Sequence, residues 1–274
     1  HSPRGPKFQG AQGRQDPWRW EGEARMLYRA EAVVLKGKEF GEKDRIVTLY
    51  SRQHGKIRAI AKGVKKPQSS LGPATEPFSY GTFLLATGKN LDVVTQARIK
   101  EPFPPLREDM ERMAYASLLV ELVDLASPEG EPNPELFDLL VGSLFRMKRL
   151  KPRIVALEFL AKFLDLLGWG PSLERCAKCE AEVSAEGLKF SPGTGGVLCA
   201  TCKAEDAFPL SGEAWAIMKT LRRADPSLLP RLRITRAGLE GAERAYFSLL
   251  ARHAEIVPKS LEVIRRLREE VRRG

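Results

Sequence analysis

Four cysteines make up the whole thiol content of the 274-residue chain, and all four fall in one pattern. Two residues separate Cys176 from Cys179 and Cys199 from Cys202, and 19 residues lie between the pairs. A two-residue gap lets both thiolates of a knuckle reach one ion, and two knuckles complete a tetrahedral Zn–S4 site. Four thiolates leave no open coordination position, so the zinc ion expected here is structural. Arg175, Lys178 and Lys203 stand nearby to offset its negative charge. Disulfides are the competing use of these residues, but the chain reads as cytoplasmic, and a redox pair would use one such motif rather than two. The linking loop contains Pro192-Gly193-Thr194-Gly195-Gly196 and looks unable to hold a shape without the metal.

The second chemical signal is charge. The net charge is +10, and residues 26–100 alone contribute +8, whereas residues 101–274 are neutral. Within Gly41–Pro67 stand eight bases, Lys43, Arg45, Arg52, Lys56, Arg58, Lys62, Lys65 and Lys66, against Glu42 and Asp44. Alternation along a strand puts Lys56, Arg58, Ile60 and Lys62 on one face and Ile57, Ala59 and Ala61 on the other. An apolar face on a core and a basic face in water would suit a phosphate backbone. Arg98 and Lys100 would extend that face. Tyr50 reads either as a base-stacking aromatic or as a core residue. The competing reading of the whole patch is a basic surface that only solubilises. A second cluster, Arg146, Lys148, Arg149, Lys151 and Arg153, reads as a complement to a helix dipole or as a contact for DNA or an acidic tail.

Elements that could position these groups follow from periodicity. Strand patterns cover Leu27–Leu35, Asp44–Arg52, Lys56–Lys62, Phe78–Ala86 and Leu91–Ile99, separated by Gly, Pro, Ser and Asn clusters. Five short strands suit a small barrel, because closure removes exposed edges. Lys65–Pro77 is too rich in Pro, Ser and Gly for regular structure and would join strands three and four. After Pro104-Pro105 the period becomes helical, over Leu106–Ala126, Pro134–Leu150 and Arg153–Gly168. The third of these is apolar on most sides and should be central. Three more helical patterns start after Ser211, at Ala237 and at Lys259, so the cysteine module looks inserted between helices that pack together. The expected class is therefore α+β and multidomain. Residues 1–25 form a flexible extension, 26–102 a five-stranded OB-type barrel, and 103–274 a helical domain interrupted by a zinc module at about 171–206.

Several functions find no support. No apolar run approaches the 18 residues of a membrane helix, and residues 1–25 contain no secretory core. His1, His54 and His253 share no motif with a nucleophile, and Gly88-Lys89-Asn90 lacks the spacing and hydroxyl of a phosphate-binding loop. No catalytic constellation is visible, and no enzyme is expected.

The order of these features resembles the bacterial RecO family. The resemblance rests on Gly41-Glu42-Lys43-Asp44-Arg45, His54-Gly55-Lys56, Ala61-Lys62-Gly63 and Glu76-Pro77-Phe78, and on a helical domain with an inserted four-cysteine module. It covers roughly residues 26–270. It implies a DNA repair and recombination mediator that binds single- and double-stranded DNA and anneals complementary strands. It also implies RecR and the single-strand-binding protein as partners, and assistance in loading RecA without ATP hydrolysis, in the cytoplasm at the nucleoid. A zinc-containing RNA-binding or translation-associated protein would share the basic barrel and stands as the alternative.

Overall fold

The computed structural model describes residues 26–253 and 258–273. The expected extension at residues 1–25 lies outside them.

Five strands form a closed barrel. They are β1 (Leu27–Phe40), β2 (Asp44–Ser51), β3 (Gly55–Ala61), β4 (Tyr80–Ala86) and β5 (Asp92–Glu101), in the order β1-β2-β3-β5-β4. Only β3 and β5 run parallel, with Ala59 opposite Asp92 and Ala61 opposite Val94. The expected alternation holds along β3: Ile57, Ala59 and Ala61 enter the barrel core with Val34, Val47, Leu49, Phe83 and Leu85. β1 runs five residues further than its apolar pattern suggests. Lys36–Phe40 stay paired with Asp44–Thr48 after a bulge between Val34 and Lys36. The polar stretch forms strand because its neighbour supplies the ladder, which composition does not reveal. Between β3 and β4 the proline-rich connection makes one helical turn, α1 (Leu71–Ala74).

Apart from the cysteine module between α5 and α6, the regular structure that follows is helical: α2 (Pro105–Glu108), α3 (Met110–Ala126), α4 (Pro134–Met147), α5 (Pro152–Leu166), α6 (Gly212–Arg223), α7 (Arg236–His253) and α8 (Ser260–Arg273). The pattern starting at Leu106 is two helices. Asp109 leaves the helical region and caps α3 by accepting from the Arg112 N–H at 2.8 Å. Met110 and Met113 lie exposed in the first turn of α3, although their i, i+3 spacing fits the apolar stripe of the helix. α5 is the central helix, with Val155, Phe159, Leu160, Phe163 and Leu164 buried against its neighbours. It also buries Glu158 completely, held by Arg146 at 2.8 Å and Lys162 at 2.5 Å. A buried carboxylate is tolerable only with such partners.

A second core, distinct from the barrel interior, joins the barrel's outer surface to the helices. Val33, Leu35, Tyr50 and Phe78 from the barrel join Phe137, Leu140 and the α3 leucines. At the β2–β3 turn the backbone of Gly55 lies against Glu131. Its φ is +63°, and a Cβ there would stand 2.1 Å from the Glu131 carbonyl oxygen, so the position needs glycine on two counts.

Candidate nucleic-acid interface and metal centre

The barrel's basic residues do not form one patch. Strand register places Lys36, Thr48 and Arg58 in one row across β1, β2 and β3, and Lys38, Ile46 and Ile60 in the next. Phe40 and Asp44 face each other at the hairpin tip, with Lys43 in the turn. This outer face is the one that alternation assigns to Arg58 and Lys62, and Lys36, Lys38, Lys43, Arg58 and Lys62 are all exposed on or beside it. Lys65 and Lys66 follow on the connection to α1, also exposed. The Lys65 N–H donates to the Lys43 carbonyl at 3.4 Å, and its ammonium reaches Glu39 at 2.7 Å. That hydrogen bond holds the Glu39 carboxyl below its ordinary pKa. Lys62, Gly63, Lys66, Gln68 and Ser69 line a notch of about 260 Å³ beside the face.

Other expected contacts fall elsewhere. Arg45 turns to the barrel mouth, where it crosses Gly37 and donates to Glu76 at 2.8 Å and Thr75 at 3.3 Å. Its side chain is 16% exposed, so it closes the barrel rather than facing solvent. Lys56, 15% exposed, donates to the Asp124 carbonyl of α3 at 2.7 Å, with the Asp124 carboxylate 3.4 Å away. It joins the barrel to the helices. Lys36 meets the same carboxylate at 2.5 Å, Arg58 approaches Glu129 at 3.7 Å, and Arg52 pairs with Asp138. Arg98 and Lys100 lie on the β1–β4–β5 side, where Lys100 binds Glu31 at 2.5 Å and lies over the Tyr80 ring. Tyr50 is fully buried beside Phe137, and burial pushes its phenol pKa up. Of its two readings, the core one holds.

The second basic cluster is mostly internal. Arg146 serves Glu158, Lys148 bonds Glu101 at 2.7 Å, and Arg153 clamps the buried Glu243 from α7, leaving Arg149 and Lys151 exposed. Spacing in a sequence does not distinguish a surface cation from one whose carboxylate arrives from 90 residues away. The residues missed on the barrel face are Lys36, Lys38 and Phe40. Their signal is the alternation Lys36-Gly37-Lys38-Glu39-Phe40, which continues the strand beyond its apolar part.

The cysteine module is built on a three-stranded sheet, β6 (Lys189–Ser191), β7 (Gly196–Leu198) and β8 (Phe208–Pro209), in the order β7-β6-β8. In the first knuckle the Cys176 N–H donates to Ala181 and the Glu180 N–H donates back to Cys176, both at 2.9 Å. The Ala177 N–H docks the knuckle onto Val197 of β7 at 2.8 Å. Cys199 directly follows β7, and Lys189 donates to the Ala200 and Cys202 carbonyls at 2.9 and 2.7 Å, shaping the second knuckle. Lys178 and Arg175, expected to balance charge, bond the carbonyls of Lys203 and Glu180. The glycine-rich turn has its own support, because Asp206 accepts from the Ser191 hydroxyl at 2.6 Å and the Gly193 N–H at 2.5 Å.

All four sulfurs lie within 4.8 Å of one another, and those of Cys179 and Cys199 are 3.9 Å apart. Metal–sulfur bonds of about 2.3 Å in a tetrahedron put sulfurs roughly 3.8 Å apart, so the four residues could hold one metal ion. Local hydrogen bonds already separate the thiols. The Thr201 hydroxyl helps bring Cys199 down to about 6, while the Cys179 and Cys199 thiols push Cys202 up to about 12. Burial would raise Cys176, but the N–H groups of Cys199, Cys179 and Lys178 outweigh it and lower its pKa.

An OB-type barrel carried on a helical body, with a four-cysteine knuckle module inserted before the last helices, is the class of protein that fold and sites define. Comparisons with known proteins narrow it. The model described as "Recombination protein O N terminal" matches residues 26–103, and "Recombination protein O C terminal" matches residues 107–262. A DNA repair protein RecO of Desulfitobacterium hafniense is 40% identical over 212 residues, covering 76% of this chain and 78% of the relative. That of Pelotomaculum thermopropionicum is 45% identical over 184 residues, covering 67% and 72%. That of a Nocardioides species is 38% identical over 247 residues, covering 88% and 100%. The chain belongs to the RecO family.

Proposed function

We propose that this chain is a recombination mediator that binds single- and double-stranded DNA through the β1–β2–β3 face, anneals complementary strands and assists RecA loading together with RecR. The observation that carries the reading is the row that sets Lys36 level with Arg58, with Lys38, Lys43 and Lys62 also exposed on or beside the outer face of the barrel, in a RecO-family chain. Bases on such a face neutralise phosphates without reading sequence, which leaves the nucleobases available to pair. Annealing then needs no covalent step, and the protein acts as a mediator rather than an enzyme. Of the ten contacts expected from sequence, Lys43, Arg58, Lys62, Lys65 and Lys66 are retained for the main path. Lys36 and Lys38 join them. Arg98 and Lys100 provide a separate contact on the β4–β5 side, while Arg45, Arg52 and Lys56 support the fold.

Zinc is the ion proposed for the cysteine centre. Four thiolates suit it, and because Cys176, Cys179, Cys199 and Cys202 would leave no position for water, the ion would hold the two knuckles together and supply no chemistry. The single-strand-binding protein and RecR are the proposed partners, with the cytoplasmic nucleoid as the setting. A fluorescence annealing assay on complementary labelled strands, with and without single-strand-binding protein and RecR, tests the reading. Acceleration of annealing over the uncatalysed rate supports it, and no acceleration at protein concentrations that saturate the strands refutes it.

A further inference from the structure

The two cysteine knuckles are held by different means. The first rests on backbone hydrogen bonds: Cys176 with Ala181, Glu180 with Cys176, and the Ala177 N–H docked on Val197. The second follows β7, and its residues from Cys199 to Cys202 belong to no strand or helix. Lysine ammonium groups reach its carbonyls instead. Lys189 donates to Ala200 at 2.9 Å and to Cys202 at 2.7 Å, and Lys178 donates to Lys203 at 2.9 Å.

Lys189 is itself firmly placed. It lies in β6, opposite Leu198 of β7 and Pro209 of β8. Its neighbours Leu188 and Phe190 are both buried in the core that the helices share, so alternation turns the lysine to the other side. Just ahead of it the backbone of Gly187 lies against Ala200, where an added Cβ would stand 2.7 Å from the alanine methyl. The two carbonyls that Lys189 bonds flank Thr201, whose hydroxyl lies 3.1 Å from the Cys199 sulfur. A single ammonium that joins carbonyls two residues apart fixes the bend between Cys199 and Cys202, and with it the direction of both thiols.

We propose that Lys189 is a positioning residue of the metal centre: by clamping the Ala200 and Cys202 carbonyls, it holds the second knuckle in its metal-binding shape. This rests on the four-thiolate reading of the same cysteines. Groups that orient metal ligands from behind govern affinity strongly, and losing one costs about 10–100-fold.

The test measures the zinc affinity of the full chain by competition with a chromophoric chelator at fixed pH. Lys189→Met keeps the apolar stem and should lose about 10–100-fold, whereas Lys189→Arg keeps donors for both carbonyls and should recover most of it. Arg175→Met removes an equal charge beside the first knuckle, where Arg175 bonds the Glu180 carbonyl, and should cost less than about five-fold, as for an exposed charge. No loss in Lys189→Met, no recovery in Lys189→Arg, or an equal loss in Arg175→Met would overturn the positioning role. If Lys189→Met does not fold, Lys189→Gln, which keeps one donor, carries the same comparison. Failure of the parent chain to bind zinc would instead bring down the four-thiolate reading, and the role of Lys189 with it.

Discussion

Replacing Lys56 with methionine separates an interdomain tie from a DNA contact. By alternation Lys56 belongs with Arg58 on a basic strand face, but its side chain is 15% exposed and its ammonium donates to the Asp124 carbonyl at 2.7 Å. The Asp124 carboxylate, also 15% exposed, lies 3.4 Å away and is shared with Lys36. A hydrogen bond from a charged donor contributes about 1.5–3 kcal/mol, and the methionine stem keeps most of the lysine's apolar packing. The net loss should therefore be about 2 kcal/mol. For a chain of this size that lowers Tm by roughly 4–8 °C, at about 2–4 °C per kcal/mol. Affinity for single-stranded DNA, measured by anisotropy well below the transition, should stay within two-fold of the parent. Differential scanning calorimetry and the titration together decide the matter. An unchanged Tm with a several-fold loss of affinity would show that Lys56 contacts DNA and that its approach to Asp124 contributes nothing.

Two further outcomes follow from the same interfaces. Cys176→Ser should abolish stoichiometric zinc in protein purified without chelator and expose Cys179, Cys199 and Cys202 to thiol reagents. Metal analysis finding one zinc per chain in the variant would contradict the four-thiolate centre. Gly55→Ala forces a Cβ onto the Glu131 carbonyl at a left-handed φ, so it should destabilise the protein by at least about 2 kcal/mol in denaturant unfolding, where a neutral result would refute the contact.

The sequence exposes features that are local. Two-residue gaps between cysteines, period-2 apolar positions along β3, and Asn133 capping a helix that starts at Pro134 all report their own neighbourhood, and each appears as expected. Features that depend on a distant partner are illegible. Lys36–Phe40 look like loop until β2 pairs with them, and Arg45, Lys56 and Arg153 look like surface until Glu76, Asp124 and Glu243 arrive. Tyr50 illustrates the limit well, because period 2 puts it on the outer face but cannot show that α4 covers it. The exposed bases of the barrel's outer face accordingly extend onto the β1–β2 hairpin as well as along β3.

The central claim is that phosphates lie across β1–β2–β3 on Lys36, Lys38, Lys43, Arg58 and Lys62. It is tested most directly by the salt dependence of single-stranded DNA affinity. Each phosphate contact on a single strand contributes about 0.7 to the slope of log K against log salt, so Lys38→Ala/Arg58→Ala should flatten the slope by about 1.4. Arg45→Ala, at the barrel mouth, should leave the slope unchanged. A slope that is unaltered in the double variant, or flattened equally by Arg45→Ala, would contradict the account.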